Sequence, residues 1–345
     1  MFFASDNAGP ALPQVMQRLT EANISYQMPY GNDTIMDEVR ETLRDLFEAP
    51  EAAVYLVATG TAANSLALAC YTNPWDTIFC SPVAHIHEDE CNAPEFYAGG
   101  AKLTLVPGTD RMTPDALRTA ISGEQVRGVH GPQRGPVSIT QVTELGGVYS
   151  LTELQSLSAV AHEFDLPVHL DGARFANALV ALECTPAEMT WKAGVDIVSF
   201  GGTKNGCMGV EAVIFFDPKK AWEFELRRKR GAHLFSKHRY LSAQMAGYLS
   251  DDAWLNAARK ANANCMRLHE GLKINGAHIL HAVEANIIFA TLPRATHQKL
   301  QDGGAVYYVM DGDVAVGDPN EPLMARFVCD WSLSTDQIDE FLALF

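Results

Sequence analysis

Short apolar runs that each end in a polar or glycine-containing turn recur along this chain, with helix-like stretches between several of them. Residues 53–57, 77–80, 102–106, 137–140, 167–170, 195–200 and 212–216 read as strands. Residues 13–22, 37–48, 62–70, 151–164 and 185–193 read as helices, the second carrying Val39, Leu43, Leu46 and Phe47 at helical spacing. Strands that are apolar throughout are buried on both faces. Their alternation with helices predicts an α/β fold with a mostly parallel central sheet covered on both sides. In such sheets ligands bind beyond the carboxyl ends of the strands, so the strand ends are where chemistry is expected. Past residue 247 the pattern changes to a long helix with an Ala-rich face (252–272), three further strands (283–292, 305–310 and 324–330) and a closing helix (335–344). A chain of 345 residues exceeds one compact core. It is expected to divide into a large domain, 1–247, which includes the N-terminal segment, and a small C-terminal α+β domain, 248–345.

Charge narrows the function. The 42 Asp and Glu against 26 Lys and Arg leave a net charge of −16. Such a surface repels nucleic-acid backbones and anionic membranes, so neither is an expected partner. The seven cysteines are scattered without a C-x-x-C pair, and no apolar stretch reaches spanning length. Met1–Ala4 runs into Ser5-Asp6-Asn7 with no basic leader ahead of an apolar core, so a soluble cytoplasmic protein is expected.

Four features at strand ends need a common explanation. Val168-His169-Leu170-Asp171-Gly172 delivers an acid at the end of an apolar run, although Asp before Gly-Ala also makes a good helix cap. The run 197–200 is followed by Gly201, Gly202, Thr203 and Lys204. There a desolvated lysine amine would be a usable nucleophile, but a solvated turn lysine fits equally well. Thr59-Gly60-Thr61 joins a strand to a helix, where free N–H groups suit a phosphate; it is not a Walker loop. His85-Ile86-His87-Glu88-Asp89-Glu90 reads as an ordinary acidic loop, as metal ligands, or as an imidazole stacked on a planar ring. One cofactor accounts for all four. Pyridoxal 5′-phosphate needs a lysine for its Schiff base, an acid for its ring nitrogen, a phosphate cup and a flat group over the ring.

On these residues the chain resembles the low-specificity L-threonine aldolases of the β-eliminating-lyase group. The resemblance runs through Ser5-Asp6-Asn7, Tyr30-Gly31-Asn32-Asp33, Gly60-Thr61-Ala62-Ala63-Asn64, Ala84-His85, His169-Leu170-Asp171-Gly172-Ala173-Arg174, Thr203-Lys204 and Ala325-Arg326-Phe327. It implies the type I fold of pyridoxal-phosphate-dependent transferases and retro-aldol cleavage of a β-hydroxy amino acid to glycine and an aldehyde. It also implies a homotetramer made of two dimers, in which Tyr30 or the basic segment after Arg227 reaches a neighbour's cofactor. Lys204 would carry the cofactor, and Asp171 would pair with the ring nitrogen. Gly60, Thr61, Thr203 and Arg239 would hold the phosphate, and His85 would stack on the ring. Arg174 would lie near the ring hydroxyl and the substrate carboxylate, which Ser5, Arg326 and Tyr30 would also bind. Many family members carry Thr-His-Asn-Gly where this chain has Thr143-Glu144-Leu145-Gly146. The base that accepts the hydroxyl proton is therefore open between Glu144, His85 and a water.

Three rivals remain at this point: β-elimination or transamination with the same cofactor, a metal hydrolase built on His85, His87 and Asp171, and a non-catalytic binding protein on the same scaffold, which requires an unmodified Lys204. The metal alternative leaves Lys204 and the glycines without a role, and no metal is expected.

Overall fold

A computed structural model describes residues 1–345. Seven strands form the main sheet: β1 (Ala53–Val57), β2 (Asp76–Cys80), β3 (Lys102–Leu105), β4 (Gln133–Thr140), β5 (Val168–Gly172), β6 (Ile197–Gly201) and β7 (Glu211–Phe215). Their order is β1-β7-β6-β5-β4-β2-β3. The ladders β6-β5, β5-β4, β4-β2 and β2-β3 are parallel, while β7 runs antiparallel to both β6 and β1. All seven expected strands are present, with ends shifted by a few residues. Every residue of β2, β5, β6 and β7 is buried, as expected for apolar runs covered on both faces. Leu56, Leu170, Val198 and Ile214 pack on one side, and Tyr55, Val57, Ile197, Val213 and Phe215 on the other.

The helices start where polar side chains can cap them. Asp33 accepts the Met36 amide at 2.9 Å at the head of Thr34–Leu46, and Ser150 with Glu153 forms a capping box at the head of Leu151–His162. Thr59 caps Gly60–Ala69 by accepting the Ala62 amide at 3.2 Å. The helix expected over 185–193 is replaced by turns and a single 3-10 turn, Trp191–Ala193. There the Glu188 carboxylate binds the Thr185 amide and hydroxyl, so local side-chain bonds take the place of a helical ladder. The basic run Arg227–Arg230 is the last turn of the helix Ala221–Arg230, where cations suit the helix dipole.

A second, antiparallel sheet in the order β10-β11-β9-β8 contains β8 (His278–Ile279), β9 (Ile287–Pro293), β10 (Tyr308–Val309) and β11 (Pro322–Val328). Its core includes Leu292, Phe327 and Phe341, and also Phe3 from the other end of the chain. Phe3 donates its amide to Val306 O and accepts from the Val328 amide, at 2.7 and 2.8 Å. The helix Ala253–Ile274 serves both cores: Trp254, Ala257 and Ala258 pack in the large one, and Cys265, Leu268 and Leu272 in the small one.

Phe3 is fully buried, with its ring 4.9 Å from that of Phe341. Phe3→Ala is expected to lower the stability of the small core by about 3–5 kcal/mol, through lost transfer energy and a residual cavity. Urea denaturation followed by tryptophan fluorescence measures this, and an unchanged midpoint would show that the N-terminal segment is only loosely attached.

Candidate active site

The topology brings several chain segments to one edge of the main sheet. Parallel strands β5 and β6 end there, with Asp171 the last residue but one of β5 and Gly201 the last of β6, and antiparallel β7 begins there with Glu211, paired with Gly201. β1 ends at the same edge and leads into Thr59 and Gly60. The turn after Asp171 and the end of β6 approach so closely that a Cβ at Gly201 would stand 2.4 Å from Ala173 O. This contact places the Thr203–Asn205 turn, and with it Lys204, beside Asp171.

Two cavities adjoin at this edge. The first, about 460 Å³, is lined by Gly60, Thr61, Asn64, Asp171, Thr203 and Glu211 among others. The second, about 720 Å³, opens toward the small sheet and is lined by Ser5, Glu144, Arg174, Phe289, Met324 and Arg326 among others. Asn7, His85, Asp89 and Lys204 line both. Lys204 therefore stands where they meet, and its amine makes no hydrogen bond or ion pair within the chain.

Each wall has a defined chemistry. The Gly60 and Thr61 amides, at a helix N-terminus, find no acceptor in the chain, and a Cβ at Gly60 would meet no atom within 4 Å. The result is an open cradle with two free donors. Asp171 is no helix cap: one oxygen accepts from the Ala173 amide at 3.1 Å and the other from Asn64 Nδ2 at 2.9 Å. Asn64 Nδ2 also donates to Glu90 Oε1 at 2.9 Å, and that oxygen lies 2.8 Å from His85 Nδ1. A hydrogen-bonded chain thus links His85, Glu90, Asn64 and Asp171. The Glu90 hydrogen bond raises the His85 pKa above its usual range, outweighing burial, with the Asp171 charge acting in the same direction. Burial pushes Glu90 up as well, against the pull of its bonds to His85 and Asn64.

In the second cavity, Arg174 is fully buried and forked onto Asp6, with Nε–Oδ2 at 2.7 Å and Nη2–Oδ1 at 3.0 Å. Arg326 is half-buried and makes no ion pair or side-chain hydrogen bond in the chain. Burial and the nearby Arg174 charge lower its pKa. An unpartnered guanidinium facing a cavity is a ready site for a carboxylate.

Of the residues singled out in the sequence, Ser5, Gly60, Thr61, His85, Glu144, Asp171, Arg174, Thr203, Lys204 and Arg326 all line the two cavities. Tyr30 and Arg239 do not. Tyr30 lies in a separate hollow with Arg40, Arg228 and Lys229, and Arg239 donates to Ser25 O and to the Tyr240 hydroxyl. The metal-ligand alternative is not assembled, because no group of three or more His, Cys, Asp or Glu side chains is arranged to hold an ion. His169 is spent between the Ser138 and Ser199 hydroxyls, 3.0 Å from each, and burial lowers its pKa to about 4. The partners that sequence reasoning missed are Asn64, Glu90, Glu211, Asp6 and Asn286. Asn64, Glu90 and Asp6 stood inside the quoted motifs, but only the fold shows whom they touch.

The family model for β-eliminating lyases matches residues 3–295. A low-specificity L-threonine aldolase of a Pseudomonas species is 39% identical over 344 residues, 99% of this chain and 96% of the relative. Among solved structures, a threonine aldolase from Leishmania major superposes with a TM-score of 0.92 at 23% identity, covering 99% of this chain and 98% of the other. A serine palmitoyltransferase from Sphingomonas wittichii gives 0.72 at 16% identity, covering 100% and 86%. The architecture is the type I fold of pyridoxal-phosphate-dependent transferases. The cradle, the strand-end acid and the free lysine suit pyridoxal 5′-phosphate.

The His85–Glu90 bond has a direct readout. In Glu90→Gln the imidazole should lose its main stabilising partner, and its pKa should fall below that of the parent protein. Nitrogen-15 histidine NMR titration measures this. An unchanged His85 titration would mean that Glu90 does not hold the ring. By sequence and by fold, the chain belongs to the β-eliminating lyase family.

Proposed function

We propose that this protein is a low-specificity L-threonine aldolase. It cleaves L-threonine, L-allo-threonine and related β-hydroxy-α-amino acids between Cα and Cβ, giving glycine and an aldehyde, with pyridoxal 5′-phosphate as cofactor. The observation that carries this reading is the place of Lys204, at the meeting of one cavity lined by Gly60, Thr61 and Asp171 and another lined by Arg174 and Arg326. The cofactor, when bound, supplies an electron-accepting ring next to the substrate Cα.

The chain's own residues supply binding, orientation and proton handling. Lys204 provides the amine that attaches the cofactor. The Gly60 and Thr61 amides with Thr203 receive the phosphate, and Asp171, fixed by Asn64 and the Ala173 amide, keeps the ring nitrogen protonated. Ser5, Arg174 and Arg326 grip the substrate carboxylate, which turns the Cα–Cβ bond into the position where it can break. His85 covers the ring, and with Nδ1 held by Glu90 its Nε2 is free to accept the β-hydroxyl proton. Glu144, on the same cavity wall, is the second candidate acceptor.

Tyr30 and Arg239 lie outside their own chain's cavities. In a homotetramer made of two dimers they would act on a neighbour's cofactor and substrate. The division into residues 1–247 and 248–345 belongs to the same reading, with Met1–Phe3 lent to the smaller unit. The cytoplasm is the proposed location; no helix is long and apolar enough to cross a membrane.

Purified protein is expected to be yellow and to release acetaldehyde and glycine from L-threonine. Lys204→Ala should lose the visible band and reduce turnover on the order of 10³-fold or more. Pyruvate or 2-oxobutyrate as the main product, without acetaldehyde, would replace this reading with elimination or transamination.

A further inference from the structure

Glu211 has no role in the reaction described above, yet it lines the first cavity with the phosphate cradle. It reaches the catalytic edge because β7 runs antiparallel, so its first residue lies level with the last residue of β6 and the end of β1. The residue is 6% exposed. Its Oε2 accepts the Gly202 amide at 2.7 Å, which ties the carboxyl group into the turn that carries Thr203 and Lys204.

The electrostatics of this position are unfavourable for a second anion. The charged side chains lining the cavity are Lys204 and the carboxylates Asp89, Asp171 and Glu211, with the titratable His85 beside them. The other titratable groups that face Glu211 are neutral and buried: the Cys207 thiol in the turn that leads into β7 and the Tyr248 phenol from the helix Arg239–Leu249. A cofactor phosphate adds negative charge to the same small space. Asp171 is needed as an anion at the ring nitrogen, and it lies at the other end of the Asn64 network. Glu211 pairs in register with Val57 at the end of β1, the strand that leads into the Thr59–Gly60–Thr61 cradle. Burial already pushes its pKa up to about 7, against the hydrogen bonds from Thr203 and Gly202 and the Lys204 charge.

We propose, taking the cofactor assignment above as given, that Glu211 is a proton-holding wall of the phosphate cup: it takes up a proton when the phosphate enters, so cofactor capture and protonation of Glu211 are coupled. The sign follows from linkage. A group protonated in the complex but ionised in the free protein makes binding tight at low pH and weaker as pH rises above its free-protein pKa. The neutral amide in Glu211→Gln removes that cost. Loss of this buried acid is therefore expected to strengthen binding at alkaline pH.

Pyridoxine 5′-phosphate, which cannot condense with Lys204, is the probe, titrated into apoenzyme of the parent and of Glu211→Gln between pH 6 and 9. The two proteins should bind it equally at pH 6, and the variant about tenfold more tightly at pH 8.5. Calorimetry at pH 7.5 in two buffers of different ionisation heat should show the parent taking up roughly half to one proton more than the variant. Equal affinities across the range with equal proton counts would overturn the coupling while leaving the cofactor assignment standing. Failure of the parent to bind the probe at any pH would overturn the cofactor assignment itself. Should Glu211→Gln not fold, the parent alone decides: a probe affinity that does not fall between pH 7 and pH 9 excludes the coupling.

Discussion

The buried ion pair between Asp6 and Arg174 holds three separate parts of the chain together at the substrate cavity. Asp6 belongs to the N-terminal segment, Arg174 follows the end of β5, and Asn286, which donates to Asp6 Oδ2 at 3.0 Å and to Cys329 O at 2.9 Å, immediately precedes β9 of the small sheet. Burying two charges is costly, and the attraction between them offsets that cost only when the geometry is good and the remaining lone pairs are satisfied. Here the guanidinium is forked and the carboxylate has a third donor. Burial alone would raise the Asp6 pKa, but Arg174, Lys204 and these hydrogen bonds outweigh it and keep the group ionised. The carboxylate in turn fixes Arg174 in the cavity wall before any substrate arrives. Arg326, without such a partner, is left free to receive one.

The ring end of the site follows a different logic. Asn64 donates from one nitrogen to two carboxylates, Asp171 and Glu90, so both must present lone pairs to it. One amide thus fixes where both carboxyl groups stand, and through Glu90 it holds the His85 ring. This is a preorganised arrangement, because each group is already held by a partner within the chain. It also makes His85 and Asp171 a single unit, although they come from different strand ends.

Much of this was legible in the sequence, for identifiable reasons. β5, β6 and the Thr59–Gly60–Thr61 turn were readable because buried parallel strands are apolar throughout and stop sharply where function begins. Lys204, Asp171 and His85 were readable only jointly, since each alone had an equally good structural explanation. The cap alternative for Asp171 failed because its oxygens were taken by Asn64 and the turn of Ala173. The helix expected over 185–193 failed because its polar residues bond locally. Phe3 could not be assigned to the small core from the sequence, since nothing local indicates that a segment will pair with residues more than three hundred positions away.

Glu211 shows why antiparallel insertions matter in a mostly parallel sheet. In a parallel strand the first residue lies at the edge away from the ligand, so an acid there would be a surface group. Reversing β7 moves its first residue to the catalytic edge and buries a carboxyl group against the lysine turn. No periodicity in residues 211–215 distinguishes the two directions, because the strand is buried on both faces either way. The direction of one strand therefore decides whether this carboxyl group titrates in solvent or in the wall of the cavity beside Lys204.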